Sequence, residues 1–438
     1  MRQVFLWLPR NMNRGFCAVI WCLCMMVTLN QAIASDSHDA SFLVLSDVHV
    51  QTTVPHVMNF MPDKASTLND IDPASFEAML VQLQQNINEG KLAKPRFILY
   101  LGDMVGHLRL SANAVLNSET LVFNDVQRYF PDTPLLYVFG NNDSFSQNYG
   151  PFSSAFYKQS PMLVAQQVNK QGGGFLSSGV SCLKPGHAYP CLDEANPNDG
   201  YYTVLLEPTF RLVALNTVMF SPRSSGVTQA QALQQLQWFK RQMLAAKQHH
   251  ESVIIAMHVP PGKNVYDGTS FWNDEALTEF LHGVELAGDA LQGILAAHTH
   301  KDEIKRIENS AYQPLMGVFL NAAMSTSHGN APSVRVYYYG HEAYDWHLID
   351  YDSYFFTRDD GAIAIKKLYN YHEVYCHADE KNILACLRQV SLEQMLDYFT
   401  AGNPNFKEQI KTPDAINIRL NSWTEGLFHL FQKIGRYV

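Results

Sequence analysis

Short apolar runs recur along most of this chain, and those named here each lead within two residues to an Asp, Asn or His. The first is Phe42-Leu43-Val44-Leu45, and others are Phe97–Leu101, Leu135–Phe139 and Val253–Ala256, with a weaker run over Leu291–Ala297. Unbroken runs of this length read as strands buried on both faces. Between them the period changes. Phe76, Met79, Leu80, Leu83 and Ile87 recur at helical spacing behind Asp72 and Pro73, which predicts a capped helix from Pro73 to about Asn88. A second helix is predicted over Gln229–Lys247. Thr203–Leu206 and Phe210–Leu215, joined by Glu207-Pro208-Thr209, read as a hairpin. Further strands are expected at Leu315–Leu320, Val334–Tyr339 and Tyr344–Ile349. Strand, helix, strand, helix, then strands predicts an α/β sandwich of mixed sheets flanked by helices.

Two stretches depart from this pattern. Residues 144–200 are rich in Ser, Gly, Pro and Asn and read as a loop-rich insertion of loops and short helices near the mouth of a site. Their Gly172-Gly173-Gly174 run lacks the following Lys-Ser/Thr of a phosphate loop, so it reads as a flexible loop. From about Ile363 the chain is expected to turn helical, giving a carboxyl-terminal extension over 363–438. Its last part, Trp423 to Val438, is amphipathic and is expected to dock on the core rather than on a membrane.

The amino terminus has a different character. Arg2, Arg10 and Arg14 precede a short apolar stretch, Phe16 to Leu29, and then Ala32-Ile33-Ala34. This reads as a signal peptide over residues 1–34, cut before Ser35, with an apolar core too short for a full span. The main domain is then expected over 35–362, in a secreted or periplasmic protein. Cysteine usage agrees with export. Four of the seven cysteines, Cys182, Cys191, Cys376 and Cys386, lie beyond the leader in two close pairs. Two local disulfides, Cys182–Cys191 and Cys376–Cys386, are expected, with the other pairings of four cysteines open. A formal charge of −9 argues against nucleic-acid duplex binding, but not against a local cationic site made by metal ions.

Candidate chemistry sits at the ends of the apolar runs. Asp47 and His49 follow the first, Asp103 the second and Asn141 the third; His258, then His298 and His300, follow later ones. Carboxylate, imidazole and amide oxygen are ligands that hard-to-borderline divalent ions accept. Strand carboxyl ends are where sites gather in α/β folds. Each fragment is short and common by chance; their order is the informative part.

That order is Asp47-Val48-His49, Gly102-Asp103, Gly140-Asn141-Asn142-Asp143, His258 and His298-Thr299-His300. It resembles the calcineurin-like metallophosphoesterases, over roughly residues 41 to 350. Gly102-Asp103 followed by His107, His258-Val-Pro-Pro-Gly262 and His298-Thr-His-Lys-Asp-Glu303 narrow the resemblance to the acid sphingomyelinase-like phosphodiesterase branch. Ala331-Pro-Ser-Val-Arg-Val-Tyr337 also suits that branch. The Gly-Asn-Asn-Asp form is similar to endopolyphosphatase-like members.

The resemblance implies two divalent ions, with zinc favoured and manganese or iron admissible. One is expected on Asp47, His49, Asp103 and His300. The other is expected on Asp103, Asn141, His258 and His298, with Asp103 bridging. A water between such ions has a lowered pKa and serves as the nucleophile. Many relatives place a histidine after the Gly-Asn as proton donor; here it is Asn142, which cannot be a general acid but can donate a hydrogen bond to a phosphate oxygen. His107 is the better candidate acid. Ala297 stands where a glycine commonly precedes His-x-His. Acid sphingomyelinases proper carry a lipid-presenting saposin domain before the core, and only a few residues separate the leader from the first strand here. A soluble phosphodiester or phosphoanhydride, such as a nucleotide or released head group, is therefore the expected substrate. The alternatives are a sphingomyelin or other lipid phosphodiesterase, an endopolyphosphatase, and a catalytically weak secreted binding protein on the same scaffold.

Overall fold

The computed structural model describes residues 40–52, 70–108, 111–168, 181–342, 344–359, 361–377, 380–401 and 410–419. The expected leader 1–34, the Gly172–Gly174 run and the Trp423–Val438 tail lie outside them. Two mixed sheets form the body of the fold. One has six strands in the order β13-β12-β11-β1-β2-β3: Ala362–Asn370, Asp345–Asp359, Ser333–Glu342, Ala40–Leu45, Ile98–Tyr100 and Leu135–Tyr137. The other has eight in the order β14-β9-β10-β8-β7-β6-β5-β4: Asn417–Arg419, Glu303–Glu308, Pro314–Leu320, Leu291–Ala296, Ser252–Met257, Phe210–Leu215, Tyr201–Glu207 and Cys191–Asn196. The parallel strands are β1, β2 and β3, which form one side of the first sheet out to its edge, and β6, β7, β8 and β10, at the centre of the second.

The strand period of two sorts the side chains between two cores. Phe42, Val44, Leu99 and Leu136 meet Leu212, Ile254, Leu295 and Phe319 between the sheets. Leu43, Leu45, Ile98 and Tyr100 face outward into the core that contains Met79, Leu83 and Phe123 of the covering helices. Val213 and Ile255 belong to that outer core with Phe239 and Met243. Burial on both faces is why these strands read as unbroken apolar runs.

The predicted helices form over Pro73–Asn88 and Gln229–Gln248. Asp72 caps the first by accepting from the Ser75 backbone N–H at 2.9 Å. Two further helices, Ala112–Tyr129 and Asp274–Ala287, were not anticipated. The first buries Val115, Glu119, Val122, Phe123 and Val126 along one side and is capped by Ser111.

One expectation needs correction. The helical extension begins only after Asn370, because Ala362–Asn370 is an edge strand paired with β12. Ile363 and Ile365 pack against the core while Lys366 and Lys367 remain exposed, and lysines on an edge discourage pairing with another chain. Helices Tyr371–Tyr375 and Ile383–Leu387 follow, and β14 then joins the opposite sheet beside β9. The insertion over 144–200 holds the short helix Pro161–Val168, as expected, and also strand β4, which was not.

Candidate metal centre

Five loops converge at the carboxyl ends of the parallel strands. They follow β1, β2, β3, β7 and β8, and they carry Asp47 and His49, Asp103, Asn141, His258, and His298 and His300. Their backbones are unusual. Asp47 (φ 47°), His49 (φ 47°), Asp103 (φ 59°), His298 (φ 75°) and His300 (φ 63°) all occupy the left-handed region. For residues with a side chain this conformation is costly, and such strain concentrates at functional sites. Glycine is needed where two of the loops touch. A Cβ on Gly140 would lie 2.2 Å from the Asp103 nitrogen, and one on Gly102 would lie 2.7 Å from the Gly140 nitrogen. Ala297 is buried without strain in place of the more common glycine, and its N–H donates to the His258 carbonyl at 3.0 Å.

All seven sequence-predicted ligands meet here. His49 Nε2 lies 3.1 Å from His300 Nε2, and His300 Nε2 lies 3.5 Å from Asp47 Oδ1. His258 Nε2 lies 3.0 Å from Asn141 Oδ1. Asp103 Oδ2 sits between the two sets, 3.6 Å from His49 Nε2 and 3.3 Å from His258 Nε2. Two ligand groups result, Asp47–His49–His300 and Asp103–His258–His298.

The proton positions follow from the outer contacts. His49 Nδ1 donates to the Val105 carbonyl at 3.0 Å, and His258 Nδ1 donates to the Leu101 carbonyl at 2.7 Å. A carbonyl only accepts, so each Nε2 in the neutral ring is a bare lone pair facing the site. His300 Nδ1 is held by the Ser327 hydroxyl at 2.6 Å, which again leaves Nε2 inward. Lone pairs then face one another, and the buried Asp47 Oδ1 has no hydrogen-bond partner. These are the marks of a site shaped for cations, and the donor set of imidazole, carboxylate and amide oxygen fits divalent ions.

Electrostatics agree for three of the four imidazoles, and His258 is the exception while only Asp103 and Asp47 face it. Burial drives His49 down to about 4, helped by the neighbouring His107, and drives His298 down to about 3, helped by His258. Burial also pushes His300 well below the usual imidazole range, so all three rings are neutral and able to ligate. Burial raises Asp47 to about 7 against the opposing pull of His258. His258 is lowered by burial, but the Asp103 carboxylate outweighs that and lifts it to about 9. Asp103 itself is held well below the carboxylate range, because His258 outweighs burial.

Around the ligands lies a cleft of about 250 Å³ lined in part by His107, Asn142, Tyr149, Arg223, Tyr266 and Phe271. His107 stacks on His49 with ring centroids 4.2 Å apart. Its Nδ1 meets Asp70 Oδ1 at 2.6 Å, and its backbone N–H donates to Asp70 Oδ2 at 2.7 Å. Burial lowers its pKa, but Asp70 outweighs that and the net shift is upward. Asn142 turns its amide to Asp103: Nδ2 donates to Oδ2 at 2.9 Å and its backbone N–H to Oδ1 at 2.8 Å. One of the two hydrogens of its side-chain amide is thus engaged by the carboxylate between the ligand groups.

Sequence reasoning missed several residues that shape the site. Asp70 was overshadowed by the neighbouring cap Asp72. Asp143 stood in a quoted motif but without a role; it accepts from the backbone N–H groups of Asp103, Met104 and Gly140 and from the Tyr137 hydroxyl. Asn148 and Tyr149 lay in the insertion, and His328, whose ring centroid is 4.7 Å from that of His300, lay in an unremarked loop. Both expected disulfides are closed, Cys182–Cys191 and Cys376–Cys386. Among the described residues no helix is long and apolar enough to cross a membrane.

Comparisons with known proteins bear on this geometry. No family profile matches the chain. A sphingomyelinase phosphodiesterase C from Dictyostelium discoideum is 28% identical over 328 residues, covering 69% of this chain and 65% of that protein. A cyclic GMP-AMP phosphodiesterase from Bos taurus is 24% identical, covering 69% of this chain and 66% of that protein. The chain thus spans just under two thirds of the length of these relatives. A solved dimetal phosphatase from Danio rerio aligns over 76% of this chain and 99% of that one, at 14% identity and a TM-score of 0.43, too loose an overlap to carry an argument.

Proposed function

We propose that this chain, which belongs to the calcineurin-like metallophosphoesterases and has relatives in the acid sphingomyelinase-like branch, hydrolyses phosphodiester or phosphoanhydride bonds at a pair of divalent ions. The observation that carries the reading is the inward crowding of ligand atoms, with His49 Nε2 and His300 Nε2 3.1 Å apart beside the unpartnered Asp47 Oδ1. Asp47, His49, Asp103 and His300 would hold one ion. Asp103, Asn141, His258 and His298 would hold the other. Zinc is favoured, and manganese or iron suits the same mixed N/O set. Such a pair, when bound, neutralises charge at phosphorus and acidifies a water enough to attack at neutral pH.

The protein's own groups do the rest. Asn142 orients Asp103, which is shared by the two ligand groups. His107, its Nδ1 tied to Asp70, presents Nε2 as the proton donor to a leaving oxygen. Tyr149, Tyr266 and Phe271 offer flat apolar faces, and Arg223 offers a positive charge at the same cleft. That lining suits a base and a further phosphate, so a nucleotide-like substrate is favoured over a zwitterionic lipid. Export is favoured by the leader at residues 1–34 and by two disulfides.

The test is a substrate panel with the purified protein: a model diester, nucleotides, polyphosphate and sphingomyelin. Nucleotide diesters or anhydrides are expected to turn over fastest, and Asp103→Asn is expected to cost more than about 100-fold on all of them, beyond what an outer contact is worth. A preference for sphingomyelin would overturn the substrate reading, and an Asp103→Asn protein of full activity would overturn the shared role of Asp103.

A further inference from the structure

Adjacent residues in the insertion hold two ligands of the same proposed ion. Asn141 is a neutral amide, and nothing in its own chemistry decides whether its oxygen or its nitrogen faces the site. Here Nδ2 donates to Asn148 Oδ1 at 2.9 Å, which leaves Oδ1 pointing at His258 Nε2. A flipped amide would aim two N–H donors at a cation. The next residue, Tyr149, places its hydroxyl 3.2 Å from His298 Nε2. With Nε2–H donating to that hydroxyl, Nδ1 is the ring nitrogen left for an ion.

The backbone of this pair is fastened to the site. The Tyr149 N–H donates to the Asn141 carbonyl at 2.9 Å, and the Tyr149 carbonyl accepts from the Ser225 N–H at 3.0 Å. Tyr149 is itself in the left-handed region, at φ 57°. It is buried, although Asn148 lies exposed at the cleft rim. The other proposed ion is supported by different groups: the Val105 carbonyl on His49 and the Ser327 hydroxyl on His300.

We propose that Asn148 and Tyr149 are positioning residues that hold one ion of the pair selectively, so that their loss empties one site and leaves the other filled. The inference rests on the dinuclear reading above. Outer contacts of this kind are worth about 10- to 100-fold in metal affinity.

The experiment measures zinc per chain by mass spectrometry, after depletion and dialysis at a series of buffered free-zinc concentrations. The unaltered protein is expected to fill two sites. Asn148→Ala, Tyr149→Phe and the double variant are each expected to retain one ion at free zinc that fills both sites of the unaltered protein. The second ion should bind about 10- to 100-fold more weakly. Asn148→Asp keeps an oxygen acceptor for Asn141 Nδ2 and is expected to retain both. Variants that keep both ions at unaltered affinity, or lose both together, would overturn the inference while leaving the dinuclear reading intact. An unaltered protein that takes up no zinc, manganese or iron would overturn both.

Discussion

An asparagine in place of an imidazole changes what one side chain can do with a proton. Asn142 has no titratable group, and one hydrogen of its amide is engaged by Asp103. The proton for a leaving oxygen must come from elsewhere, and His107 is the group in the cleft with a carboxylate fixing its ring. His107→Ala is therefore expected to slow esters with poor leaving groups by about 10²- to 10⁴-fold, and activated nitrophenyl esters far less. Equal losses on both, in parallel steady-state assays, would remove His107 from that role. The candidate ligands were legible in the sequence because each follows a strand, where a polar residue soon after an apolar run stands out. Asp70 was not legible. Its pairing with His107 spans 37 residues of chain, and its local setting looks like the start of a helix.

Strands and loops divide the work at the next scale. The strands were readable because burial on both faces leaves a continuous apolar run, as in Val253–Ala256. The helix over Ala112–Tyr129 was not, because Ser118 and Glu119 interrupt its buried side. Ala362–Asn370 was misread because its alternation is shallow, with only Ile363 and Ile365 leaning on the core before the lysines. The loops after β2 and β3 are joined through Asp143, which is buried and accepts from three backbone N–H groups. Asp143→Ala leaves those donors without their acceptor, at about 1–3 kcal/mol for each buried group. A loss of about 3 kcal/mol or more is expected, read as a lower urea midpoint at constant slope. An unchanged midpoint would show that the loops hold their shape without it.

At the scale of the whole molecule, a buried charge pair links the two sheets. Arg335 of β11 meets Asp302, which lies between His300 and β9, and Tyr369 of β13 and Ser353 of β12 donate to the same carboxylate. Both charged residues are nearly free of solvent. Arg335→Met strands the carboxylate and is expected to cost about 3–5 kcal/mol, whereas Arg335→Met with Asp302→Leu should recover much of it. Chemical denaturation of the single and double variants checks this, and equal losses in both would contradict it. Arg335 and Asp302 both stood in quoted motifs, but their pairing was not legible, because it exists only once the sheets face each other. The same holds for the site as a whole, whose ligands come from both sheets. The central claim is that these ligands hold two ions and that hydrolysis depends on both. It is tested most directly by titrating zinc into metal-depleted protein while following cleavage of bis(p-nitrophenyl) phosphate. The account predicts no turnover without metal and a rise that saturates near two ions per chain. Full turnover by the depleted protein, or saturation at one ion, would contradict it.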